Sequence, residues 1–169
     1  MKYLLFALFA ISLSANTAEF SLNDSIIKSS IVVNETQCAG YSILVKDDRF
    51  PDEVYGKVPE EYGIPGYLGA SGDLIVSVHV FVKIGSIEKE VPSVIEKYQK
   101  MGKLLTDDGR VYLPRQGYCL SKNSFLLSVD SGGSCGGCEA LIKYNVNKNG
   151  SIIAAGFPSG VEVKKALGR

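Results

Sequence analysis

Leu74-Ile75-Val76-Ser77-Val78-His79-Val80-Phe81-Val82-Lys83-Ile84 is the stretch that decides the fold. Leu74, Val76, Val78, Val80, Val82 and Ile84 form an unbroken apolar set at every second position. Ser77, His79 and Lys83 share the opposite set with Ile75 and Phe81. Successive side chains of a strand point to opposite faces, so this pattern predicts one long strand buried on one side.

Toward the C-terminus the alternation recurs. Phe125, Leu127 and Val129 face one way, and Ala140, Ile142, Tyr144 and Val146 oppose Leu141, Lys143 and Asn145. Asn147-Lys148-Asn149-Gly150 reads as a tight turn, because Asn and Gly tolerate the backbone such turns need, and Ser151 to Phe157 returns as the partner strand. The second half is therefore expected to be an antiparallel meander. Toward the N-terminus, Ser25 to Val33 and Tyr41 to Val45 are weaker strand candidates flanking Cys38.

One helix is expected after Pro92, where Val94, Ile95, Tyr98 and Met101 recur at helical spacing and Gly102 is placed to end it. Leu104-Leu105 and Val111-Tyr112-Leu113 flank Asp107-Asp108-Gly109, a second hairpin signal. No internal repeat, heptad pattern or low-complexity tail is present. The fold class is α+β with β dominant: an antiparallel sheet, meander or sandwich-like, with one short helix and disulfide staples. Frequent glycine, at 18 residues, and the absence of Trp agree with a β-rich domain with tight turns.

The chain opens with the pattern of a secretory signal. Lys2 supplies the positive charge, Tyr3 to Leu13 is nearly unbroken apolar sequence, and Ser14-Ala15-Asn16-Thr17-Ala18 is small and polar. The apolar run is too short for a bilayer, which needs roughly 20 such residues. Residues 1–18 are thus expected to be cleaved, leaving residues 19–169 as a single exported domain, periplasmic or extracellular, with no membrane span. Losing Lys2 leaves 17 basic against 18 acidic residues, a formal charge of −1. So balanced a chain carries no electrostatic footprint for nucleic acid.

Export turns the four cysteines into disulfide candidates before zinc or thiol catalysis. Cys135 and Cys138 enclose Gly136-Gly137, and Cys38 and Cys119 stand alone. Four cysteines allow three pairings, among which sequence does not choose. Local closure of Cys135 with Cys138 would leave Cys38 with Cys119. A thioredoxin-like pair lies at a helix N-terminus, whereas this one precedes an alternating strand, so the structural disulfide is the favoured reading. A thiol-disulfide oxidoreductase using Cys135 and Cys138 is the alternative. A four-thiolate zinc site would need a second close cysteine pair, and no motif calls for a cofactor or metal.

Residues 47–73 form a long connection with Pro51, Pro59 and Pro65, in which Tyr55, Tyr62 and Tyr67 alternate with acids including Glu60 and Glu61. Loops this long are commonly functional, and Tyr offers rigid contact area with a polar tip. This is the candidate binding loop, set against the alternative of a connection packed onto the sheet.

His79 is the only histidine, so a Ser-His-Asp or Cys-His mechanism would have to use it. Ser77, two residues away, makes a surface pair as readily as an active one. Asp47-Asp48, Glu60-Glu61 and Asp107-Asp108 could supply acid and base in glycan cleavage, but adjacent loop acids are usually solvated. The run from Gly132 to Gly137 lacks the Lys-Ser of a phosphate cradle. The expectation is therefore a small exported binding protein, an inhibitor or protective partner of a secreted enzyme being one version. Its partner would be a protein or glycan of the cell envelope or exterior.

Overall fold

The computed structural model describes residues 29–50, 74–102, 104, 111–131 and 139–168. The strands among these residues form two four-stranded antiparallel sheets. The first contains β1 (Ser29–Cys38), β2 (Tyr41–Phe50), β3 (Leu74–Ile84) and β4 (Ile87–Glu90) in that order. The second contains β5 (Leu113–Ser121), β6 (Ser124–Asp130), β7 (Glu139–Val146) and β8 (Ile152–Gly156), also in chain order. Each is a meander, and the two share one core.

The alternation explains how they meet. Tyr41, Ile43 and Val45 of β2 and Val80 and Val82 of β3 bury against Phe125, Leu127 and Val129 of β6 and Ile142, Tyr144 and Val146 of β7. Phe125 stacks on Tyr144 with ring centroids 5.3 Å apart. The long strand departs from strict parity at one end. The β2–β3 register shifts beside Asp48 and Arg49, leaving Val76 as the extra residue, and this brings Ile75 inward to pack with Leu113. Ile75, placed on the polar set by counting alone, is therefore core.

The sheets are sewn together along β1 and β5. Cys38 is bonded to Cys119 with Cα atoms 5.6 Å apart, Thr36 Oγ1 donates to Gly117 O at 2.9 Å, and the Tyr41 hydroxyl donates to Ser124 O at 2.9 Å. Gly117 makes this approach possible, since a Cβ there would fall 2.7 Å from Ile43 side-chain atoms. The disulfide points to an oxidising compartment. No helix among the described residues is long and apolar enough to cross a membrane.

Among the described residues two short helices are present where one was expected. In α1 (Ile95–Lys100) the first turn is closed by Tyr98 N–H donating to Val94 O, so the helix begins three residues after Pro92. Gly102 at φ 64° ends it, its N–H returning to Gln99 O. The second, α2 (Gly160–Ala166), is opened by a capping box in which Ser159 and Glu162 satisfy each other's backbone N–H groups. Glu162 also pairs with Lys143 on the outer face of β7, which fixes the helix to the second sheet.

β2 runs five residues past the expected Tyr41 to Val45. Asp47 to Phe50, read from sequence as the start of the long connection, are strand, because the β3 ladder continues to the Phe50–Leu74 pair. Asp47 is accommodated between the sheets by an ion pair with Arg49 at 3.1 Å. The expected signal segment, the Asp107-Asp108-Gly109 hairpin and the Gly132–Gly137 run lie outside the described residues.

Candidate functional site

Two stretches outside the described residues, 51–73 between β2 and β3 and 132–138 between β6 and β7, join strands at the same end of the sandwich, where a third, from α1, leads into β5. β2 ends at Phe50 opposite Leu74 of β3, Leu113 of β5 pairs with Asp130 of β6, and Asp130 pairs with Glu139 of β7. The opposite end carries the disulfide and the turns at Ala39–Gly40 and Lys122–Asn123. Tyr55, Tyr62, Tyr67, Glu60 and Glu61, and likewise Cys135 and Cys138, belong to the connections between those strand ends and lie outside the described residues.

A cleft of about 440 Å³ opens toward this end, between α1 and the approach to β5. Its walls are Val78 and Val80 of β3, Val91 and Ile95 beside them, and Leu113 across from them. Leu127 and Tyr144 of the second sheet form the floor. The Tyr144 hydroxyl donates to Pro92 O at 3.2 Å, and burial, with a smaller contribution from Tyr98, pushes its ionisation far above the ordinary phenol range. The floor therefore stays neutral and its donor is already used. The volume falls within the range of about 300–1,000 Å³ common for sites that take small apolar ligands.

The mouth is polar, with Glu90, Glu96, Gln99 and His79 among its lining. Lys100, one turn along the helix, donates to Glu96 and holds its carboxyl below the usual range. Glu90 is oriented from the other side. His79 Nδ1 lies 2.7 Å from Glu90 Oε1, His79 Nε2 lies 3.1 Å from Ser77 Oγ, and Ser77 Oγ donates to Asp48 Oδ2 at 2.8 Å. Three strands contribute because their register sets Asp48 opposite Ser77 and ends β4 beside Phe81.

Ser77 and His79, paired in sequence, are thus paired in space. In an activated nucleophile the hydroxyl proton goes to the imidazole, whereas the Ser77 proton is directed at a carboxylate. The arrangement orients side chains better than it activates one. Asp47 and Asp48 do not act as a pair: Asp47 turns inward to Arg49 and Asp48 outward to Ser77. Glu60-Glu61 and Asp107-Asp108 lie outside the described residues.

Sequence reasoning missed the cleft and Glu90. β4 is four residues long and exposed throughout, so it has no periodicity to detect. The cleft walls come from five separate segments that only the tertiary fold brings together. Among the described residues no group of three His, Cys, Asp or Glu is placed to hold a metal ion. Comparison with family models, with curated proteins and with solved structures finds no match to this chain.

Proposed function

We propose that the chain is a small exported binding protein whose site is the cleft between its two sheets. The carrying observation is the cleft itself: an apolar recess floored by Leu127 and Tyr144, with its polar groups gathered at the mouth. Export is supported by the order of charge, apolar run and small residues at the N-terminus, together with the Cys38–Cys119 disulfide. The valine and leucine walls favour an apolar group of a partner over a sugar ring, which would leave its hydroxyls unmatched.

The test uses a neutral apolar probe. Adding 1-octanol to the oxidised protein is expected to shift the methyl resonances of Val78, Ile95 and Leu127 saturably, leaving those of β1 in place. Val80→Phe, which fills the recess, should abolish the shifts. No change at these methyls at any octanol concentration the fold survives would overturn the reading.

A further inference from the structure

Among the described residues, the mouth of the cleft carries two carboxylates, Glu90 and Glu96, and neither lysine nor arginine. Two nearby lysines are paired, one of them with Glu96 itself. Lys46 pairs with Glu88 and lies over the Phe81 ring, 4.6 Å from its centroid, and Lys100 pairs with Glu96. Glu90 is also braced. His79 Nδ1 lies against one oxygen of Glu90 while its Nε2 faces both Ser77 Oγ and Asp48 Oδ2, and Ser77 donates to Asp48. A carboxylate has about four acceptor positions, so a single contact leaves room for a ligand's donors.

An apolar recess ending at a braced anion is complementary to an amphipathic cation. We infer that the cleft takes an aliphatic amine, its chain against Val78, Val80, Ile95 and Leu127 and its ammonium on Glu90. His79 is a positioning residue that keeps the carboxylate turned to the mouth. This inference rests on the cleft being the binding site. Bracing contributes because a side chain already held in place loses little entropy when the ligand arrives. The Glu90 side chain is 58% exposed, so solvent screening limits the gain from charge to about three- to tenfold in affinity.

The experiment compares octylamine, 1-octanol and octanoate at neutral pH by calorimetry, with the cleft methyls followed in parallel. Octylamine is expected to bind about three- to tenfold more tightly than octanol, with octanoate weakest. Glu90→Gln should bring the amine-to-alcohol ratio close to one, and His79→Ala should lower it in part. If octanol binds at the cleft but the amine gains nothing over it, or its advantage survives Glu90→Gln, the amine assignment is overturned while the cleft reading stands. A ratio unchanged in His79→Ala overturns the positioning role. If none of the three probes moves the cleft methyls, the cleft reading fails and this inference fails with it.

Discussion

Gly117 of β5 faces Ile43 of β2 so closely that a Cβ built on the glycine would stand 2.7 Å from both Cδ1 and Cγ2 of the isoleucine. Ile43 is fully buried and has nowhere to withdraw. Gly117→Ala is therefore expected to destabilise the protein by about 1–3 kcal/mol, the usual cost of overpacking a tight core. Adding Ile43→Val should recover only part of the loss, because it removes Cδ1 and leaves Cγ2. Urea denaturation of the single and double variants measures this. A Gly117→Ala protein as stable as the parent would mean that the β1–β5 seam opens easily.

The same seam holds the disulfide. Cys38 and Cys119 are 81 residues apart, so the bond removes a large loop from the unfolded chain's freedom. Replacing both with serine should cost about 2–5 kcal/mol. Thr36 and Tyr41 still bridge the seam, so the variant is expected to fold and to melt cooperatively at a lower temperature. A loss under about 1 kcal/mol would place the stability of the seam in packing alone.

Tyr41 makes the seam sensitive to alkali. Burial pushes its phenol up to about 12 while its hydroxyl donates to Ser124 O. A phenol raised in the folded state contributes stability that is complete below its ordinary ionisation near 10 and lost as pH rises through 12. The urea midpoint should accordingly fall between pH 10 and pH 12. Tyr41→Phe should cost about 1–2 kcal/mol at neutral pH and flatten the decline in that window. An equally steep decline in the variant would assign the effect to other groups.

Strands with an apolar residue at every second position were legible in the sequence, and a strand whose alternation is interrupted was not. Val78, Val80 and Val82 read as one buried set because they recur at every second position, and the β6, β7 and β8 meander followed from the same alternation. β5 escaped because its buried positions, Leu113, Gly117 and Leu120, do not recur at every second residue: the register shifts twice along the strand, and one of the three is a glycine that admits the facing sheet. α2 did carry a signal, the Ser159 and Glu162 spacing of a capping box, but the helix buries no residue and so lacks the apolar stripe that usually confirms one. The cleft depends on which strand ends meet, and local pattern does not encode that.

Glu162 governs the last helix and should make it the first element to respond to acid. Its carboxylate receives Lys143 Nζ at 2.5 Å and the Ser159 backbone N–H at 2.9 Å. The Lys143 hydrogen bond, followed by that backbone bond, pulls the carboxyl down to about 2. A depressed carboxylate contributes stability that is present above its ordinary value and lost as pH falls through the folded one, so the helix anchor should weaken from about pH 4.5 down to pH 2. Because α2 buries none of its residues, it should release without unfolding the sandwich. Hydrogen exchange corrected for intrinsic rates is expected to show loss of protection at Val163 and Leu167 in that window, with β6 and β7 unchanged. Glu162→Gln should bring the same loss at neutral pH, as should Lys143→Met in large part. Protection at Val163 that persists in Glu162→Gln, or that disappears only together with the β6 amides, would show that α2 is held by something other than this pair.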